Sequence, residues 1–375
     1  MKRTLSMTCV LAFACAWTLA VSSACSDKTA DQPLVVVQDG KYGYIDHTGR
    51  IVIRPQFIWA NDFWRGLATV YVCGHYVSMD PSGAIVPLRI AVPDRFEPRT
   101  EGQKVGFVDE HGRFKIEPSF DEALEFSEGL AAVRVGDRWG FVDANGTMAI
   151  RPQFAAAYYF HQGVASAELE GSDVLIGRSG QVLASRFAVM LEGLPAAGRV
   201  PARKDDKSGY LDLQGHVAIP LIYDSGRGFS SGLAAIEKAG KWGYIDPSGR
   251  VVIPFEFDEA GQFGSGFAPA KVGARTGFIN KAGRFAFELA FDYAPGFFTG
   301  DWEDNRFTAA SDVSRFWTTD GKFGIVNTSG RVIWGPTDGS PSHGPLLGWS
   351  EEQNVASCQG ISESMKATIA RLFPK

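Results

Sequence analysis

From Leu233 to Ala268 the chain reads LAAIEKAGKWGYIDPSGRVVIPFEFDEAGQFGSGFA, and its apolar positions fall into three short runs. Leu233 to Glu237 alternates apolar and polar before a turn at Ala239 and Gly240. Trp242 to Ile245 is a second, aromatic-rich run, and Val251 to Ile253 is a third, stopped by Pro254. Short runs rich in β-branched and aromatic residues predict strands. Between the second and third, Asp246-Pro247-Ser248-Gly249 predicts a tight turn: Asp accepts a backbone N–H two residues on, Pro fixes its own φ, and Gly supplies a positive φ. The unit is therefore a three-stranded antiparallel meander, closed by a segment with Phe257, Ala260 and Phe263 at helical spacing.

The same frame recurs from Leu130 in LAAVRVGDRWGFVDANGTMAIRPQF, which aligns Trp139, Gly140, Asp143 and Gly146 with Trp242, Gly243, Asp246 and Gly249 as structural repeat positions. Along the whole chain the pattern [D/N/G]-x-x-G ends at Gly49, Gly83, Gly112, Gly146, Gly180, Gly215, Gly249, Gly283 and Gly330. These glycines are spaced 34, 29, 34, 34, 35, 34, 34 and 47 residues apart. Such a period predicts a repeat array, in which meanders too small to bury both faces alone stack and share a core. The predicted fold class is all-β: about nine meander units over 34–337, open or superhelical, with a propeller-like closed ring as the alternative. Propeller blades usually carry four strands, which favours the open form.

The ends are different in kind. Lys2 and Arg3, an apolar stretch from Leu5 to Val21, and Ser22, Ser23 and Ala24 before Cys25 predict a signal peptide over 1–24. Small residues before a cysteine resemble the lipobox of bacterial lipoproteins, with Ser22 where that pattern usually has Leu. The resemblance implies lipidation at Cys25 and a protein anchored in the cell envelope, facing the periplasm or exterior. A soluble periplasmic or secreted form is the alternative. Residues 25–33 read as a polar tether and 338–349 as a linker. From 350 to 373 an amphipathic helix is predicted to cap the final repeat, with Ser350 as N-cap and Val355, Cys358, Ile361, Met365, Ile369 and Leu372 at steps of three or four. Cys73 and Cys358 form either one disulfide or two buried thiols.

Gly240-Lys241-Trp242-Gly243-Tyr244-Ile245-Asp246, Arg138-Trp139-Gly140-Phe141-Val142-Asp143 and Gly40-Lys41-Tyr42-Gly43-Tyr44-Ile45-Asp46 resemble the consensus of the WG-repeat, or KWG-repeat, family. The resemblance extends from about Gly40 to Pro336. It implies an interaction module in a bacterial protein rather than an enzyme.

Chemistry is sparse. Gly228-Phe229-Ser230-Ser231-Gly232 matches the G-x-S-x-G of nucleophile elbows, yet Ser230 occupies the slot of Ser127 in Phe126-Ser127-Glu128-Gly129-Leu130 and so follows from the repeat. The periodic Asp46, Asp80, Asp109, Asp143, Asp212 and Asp246 offer one carboxylate per loop against the six to eight oxygens calcium takes, and read as turn caps. The six histidines lack metal-ligand spacing, so no metal and no cofactor are expected. With 45% hydrophobic residues and 27 Phe, 10 Tyr and 9 Trp the chain can bury a large core. Its net charge of -5, without a basic stripe, argues against nucleic acid as partner.

Aromatics outside the consensus are the candidate binding surface: Trp59, Trp64, Trp302 and Trp317. Trp302 lies in the insertion, Pro295 to Arg315, that lengthens one spacing to 47. The expected function is non-catalytic: an envelope repeat protein presenting a β surface to a protein or peptide. Glycan or peptidoglycan binding through exposed aromatics is the alternative, and a hydrolase the third reading.

Overall fold

The computed structural model describes residues 32–63, 66–73, 75–86, 97–101, 103–109, 113–185, 187–189, 194–301, 306–338, 358 and 361–372. Among them stand nine sheets that follow the sequence period, here numbered units 1 to 9. They span 34–57, 59–86, 97–120, 122–154, 156–185, 188–223, 225–257, 259–288 and 313–337. Within each, the three predicted strands pair in order and antiparallel, as in Ala234–Lys238, Lys241–Ile245 and Val251–Phe257.

Most units gain a fourth strand that the sequence does not announce. Glu259–Ala260 pairs with Lys271 and Ala270 at the edge of unit 8, and two-residue strands occupy the same place in units 2 and 4 to 7. The segment at helical spacing is therefore not a helix. Phe257 ends one strand, Ala260 belongs to the short strand of the next sheet, and Phe263 follows it; all three enter one buried cluster, so their spacing records shared burial.

The Trp-Gly pair has a backbone explanation. Trp139 pairs with Phe154 and Phe141 with Ile150, so Gly140 alone faces residues 151–153 of a bulged strand. A Cβ at Gly140 would lie 2.5 Å from the Ile150 carbonyl oxygen and 2.7 Å from the Pro152 nitrogen. Bulges also accommodate proline, which has no N–H to give to a ladder. Unit 5 has Val174 at the equivalent position, and there Val174 and Leu175 pair regularly with Ser185 and Ala184.

Successive residues of the inner strands point to opposite neighbours, which explains the continuous apolar run LAAV. Leu130 and Ala132 join a cluster with unit 5, whereas Ala131 and Val133 join one with unit 3. Among the described residues seven such clusters each join two consecutive units, and an eighth joins the two ends of the array. Val36 and Ile45 of unit 1 pack with Val313, Phe323 and Ile325 of unit 9. Each turn glycine sits on the preceding unit's third strand: Gly249 lies against Ile219, Gly283 against Ile253, and Gly49 against Ile333 of unit 9. Of the two arrangements the sequence leaves open, the one observed has its ends together, as in a propeller-like ring.

One helix, α1, occupies Glu363–Leu372, with the Ser362 hydroxyl accepting the Met365 N–H at 3.3 Å. Of the predicted 350–373 helix, Cys358, Ile361 and Ser362 lie before α1, and Ser350 with 351–357 lies outside the described residues. The helix also covers a different unit. Ile361, Met365 and Ile369 pack into the cluster of units 1 and 2, beside Ile85. The described part of unit 2's third strand, Ile85–Val86, lies against the same cluster. Cys73 of unit 2 and Cys358 form a disulfide. No helix among the described residues is long and apolar enough to cross a membrane.

Candidate interaction face

In each unit the second strand of the meander, which holds the Trp-Gly position, separates two sets of turns. At one end lie hairpin turns such as Ala239-Gly240; at the other lie the D-x-x-G turns. The second end also carries tip turns between the short strand and the first long one. Ser231 (φ 51°) and Gly232 (φ 85°) form one of these, with both central residues in the left-handed region as mirror-image hairpin turns require. D-x-x-G turns and tip turns make up one face of the array, called here the turn face.

Its side chains are occupied in holding the turns. Asp246 Oδ1 accepts the Ser248 N–H at 3.0 Å, the Ser248 hydroxyl at 2.5 Å and the Arg250 N–H at 3.1 Å, while Oδ2 accepts Arg250 Nε at 3.0 Å. Asp46 repeats the set with Thr48 and Arg50. The Ser248 hydroxyl above all, helped by Arg250 and two backbone N–H groups, holds the Asp246 carboxyl at about 2, below the ordinary 3.8. Asp46 is lowered further, first by Thr48, and Asp80 is lowered by Ser82.

A carboxyl whose folded pKa lies below its unfolded value contributes stability above about pH 4 and loses it as pH falls toward about 2. The melting midpoint is therefore expected to hold from neutral pH to about 5 and to fall between about 4 and 2. The Asp46→Asn, Asp246→Asn double variant should fall less steeply, because an Asn keeps the turn acceptor without the titration. An equal fall in both proteins would place the acid sensitivity elsewhere.

Ser230, the one serine matching a catalytic pattern, donates its hydroxyl to the Phe263 carbonyl at 2.6 Å, as Ser127 does to Phe160 at 2.6 Å. Both hydroxyls tie one tip turn to the next unit. Glu128 does the same with charge, accepting the Gln162 and Gly163 N–H groups at 2.7 and 2.9 Å. A further recurring tie escaped the sequence reading. Lys104, Lys207 and Lys241 reach Asp121, Asp224 and Asp258, each 17 residues on, and the second oxygen of each Asp accepts an N–H of the next hairpin turn, from Gly136, Ala239 and Gly273. The signal for it is the pairing of the Lys before the Trp position with the Asp after the third strand.

The seam between units 9 and 1 is more polar. His47 meets the Asp312 carboxylate through Nδ1 and the Gln32 carbonyl through Nε2 at 3.0 Å, and Arg315 pairs with Asp62. Trp334 Nε1 is buried there, among the described residues, without a hydrogen-bond partner.

Among the tryptophans proposed as a binding surface, Trp59 is half-buried against the cluster of units 1 and 2. Trp317 is half-buried at the seam, its ring 5.7 Å from Tyr293 and 5.4 Å from Phe323. Trp139 and Trp242 likewise lie partly buried against inter-unit clusters, and Arg227 covers Trp242 at 5.3 Å. Trp64, Trp302 and Cys25 lie outside the described residues. The insertion itself forms a separate hairpin, Phe298–Asp301 with Arg306–Ala310, standing where the other units have a tip turn.

No curated protein matches the sequence. Among solved structures the fold is similar to that of a eukaryotic initiation factor, at 12% identity over 80% of this chain and 95% of that one, with a TM-score of 0.50. BamB from Moraxella catarrhalis is similar at 10% identity over 63% of this chain and 86% of that one, with a TM-score of 0.35. The first likeness concerns the fold alone, and the neighbours are β-propeller-like proteins. Residues 42–72, 106–139, 139–171, 209–242 and 242–274 match the WG-containing repeat, so the chain is a β-repeat protein carrying five WG-containing repeats.

Proposed function

We propose that this protein is a non-catalytic binding platform of the bacterial cell envelope, exported by its leader, anchored through a lipid at Cys25, and presenting the turn face to a protein or peptide partner. The observation that carries the reading is the engagement of candidate catalytic groups in structure: Ser230 holds the Phe263 carbonyl, and the D-x-x-G carboxylates close their own turns. What the face offers a ligand is breadth and pattern, one turn per unit, interrupted by the inserted hairpin. Loops on a rigid repeat scaffold are where such proteins bind.

The test is site-specific photo-crosslinking in cells. A crosslinker at Ala282, exposed on the turn face, should capture a protein, whereas one at Ala239, exposed at the opposite end, should not. Retention on purified cell wall with no protein captured from Ala282 would transfer the reading to glycan. Turnover of an ester, glycoside or peptide that vanishes in a single Ser, His or Asp variant would overturn it.

A further inference from the structure

We propose that the turn face of units 8 and 9 docks an acidic peptide segment, with Arg284 and Arg331 as its carboxylate anchors. The proposal rests on the binding-platform reading and names the chemistry of the partner. Its basis is a pairing that three units complete internally and these two do not.

Five units carry arginine four residues after the first position of the D-x-x-G turn: Arg50, Arg113, Arg250, Arg284 and Arg331. In units 1, 3 and 7 the turn aspartate takes the guanidinium. Arg50 Nε reaches Asp46 at 3.0 Å and Arg250 Nε reaches Asp246 at 3.0 Å. Arg113 gives Nε and Nη2 to Asp109 at 3.1 and 3.0 Å. In units 8 and 9 the aspartate is replaced by Asn280 and Asn327. Their amide oxygens still accept the turn N–H groups, from Ala282 at 2.9 Å and Arg284 at 3.3 Å, and from Ser329 at 3.1 Å and Arg331 at 3.0 Å. The replacement keeps the turn and removes its charge.

Arg284 and Arg331 are both exposed, and among the described residues neither has an ion-pair partner. Lys281, on the same turn as Arg284, donates to the Ser231 carbonyl at 2.6 Å, a neutral acceptor that leaves its charge uncompensated. The two turns belong to consecutive units. Gly330 of unit 9 lies against Phe287 of unit 8, as Gly283 lies against Ile253 of unit 7. Arg250 and Arg50, on the units flanking this pair around the array, are neutralised by their own aspartates. On a chain of net charge -5 this sets two exposed guanidinium groups, neither matched by a carboxylate of its own turn, one unit apart.

Those numbers select the occupant. Binding duplex DNA at physiological salt draws on about 6 to 10 phosphate contacts, and three cations fall short of that. Polybasic membrane segments use clusters of about 4 to 8 Lys or Arg. Two planar guanidinium groups suit two carboxylates, since the planar fork matches a carboxylate oxygen by oxygen. An extended acidic segment supplies them with the carboxylate that Asp109 gives Arg113 internally, there through one oxygen, Oδ2, shared by both nitrogens.

The experiment uses the whole chain and a fluorescein-labelled peptide of alternating Glu and Gly, read by fluorescence anisotropy at low and physiological salt. The decisive variant is Asn280→Asp with Asn327→Asp, which supplies each arginine with its own carboxylate and leaves both arginines in place. Binding is expected to weaken about tenfold or more in that variant and in Arg284→Glu with Arg331→Glu, and to stay unchanged in Arg50→Gln with Arg250→Gln. Equal binding by wild type and the Asn→Asp variant would overturn the proposal. So would loss of binding to anionic phosphatidylglycerol vesicles with the peptide unaffected. If crosslinking from Ala282 still captures a protein while the peptide fails, the acidic partner alone is wrong; if both fail, the platform reading falls with it.

Discussion

Gly140→Val is expected to destabilise the protein by about 3 kcal/mol, at the upper end of what overpacking costs, because the atoms in the way belong to the backbone. The added Cβ would meet the Ile150 carbonyl oxygen at 2.5 Å and the Pro152 nitrogen at 2.7 Å, and neither can swing aside as a side chain does. Relief would require the bulge over 151–153 to flatten, which breaks the register that places Phe154 beside Trp139 and buries it fully. Gly129→Ala is the control. Its φ is +79°, and nothing lies within 4 Å of the new Cβ, so it isolates the left-handed penalty of about 1 kcal/mol. Chemical denaturation followed by tryptophan fluorescence should show the larger midpoint shift for Gly140→Val. Equal shifts would mean that close approach over the Trp-Gly position carries no cost of its own. Gly243→Val should behave like Gly140→Val, since its Cβ would meet the Ile253 carbonyl at 2.8 Å.

The strands and turns of this fold were legible because their signals are local. Alternation, a Pro stop and an Asp-x-x-Gly turn each act within about seven residues, and the period repeats them. The fourth strand was not legible, since two residues such as Glu259–Ala260 carry no periodicity. Its pairing also depends on the next unit being in place. Phe257, Ala260 and Phe263 misled for a related reason: equal steps along the chain can report burial in one cluster as readily as one face of a helix.

The meeting of the ends was invisible for a stronger reason. Gly49 against Ile333 and Val36 against Phe323 are contacts almost the whole chain apart, and nothing in either segment differs from an ordinary unit-to-unit contact. The likeness of Gly49 on Ile333 to Gly249 on Ile219 is itself the physical argument for the ring: unit 1 sets its turn glycine on unit 9 as unit 7 sets its own on unit 6. Strand count weighed toward an open form only while the short strands went unseen. At the candidate face the aspartate-to-asparagine replacements were visible and were weighed as metal ligands. Their consequence emerges only once Arg50, Arg113 and Arg250 are seen to occupy the corresponding carboxylates.

Removing the disulfide, by Cys358→Ser or by reduction, is expected to lower stability by about 4 kcal/mol, near the top of the range for a native cross-link. The two cysteines are separated by 285 residues, and in the chain-entropy account a longer closed loop restricts the unfolded chain more. Position adds to length. Unit 9 ends at Thr337, and Cys358 is bonded to Cys73 of unit 2, so the bond joins the end of the chain to the beginning of the array. Among the described residues Trp334 Nε1 is buried at the seam between units 9 and 1 without a hydrogen-bond partner, at a cost of about 1 to 3 kcal/mol, so a covalent tie across the array offsets a loss there. The bond also lies next to Ile361 and α1, whose Ile369 packs with Ile361 into the cluster of units 1 and 2. Reduced wild type and Cys358→Ser should therefore share one lowered denaturation midpoint, with α1 opened to proteolysis and amide exchange ahead of the sheets. A reduced protein that keeps its midpoint and the protection of α1 would show that apolar packing alone holds the tail and the seam.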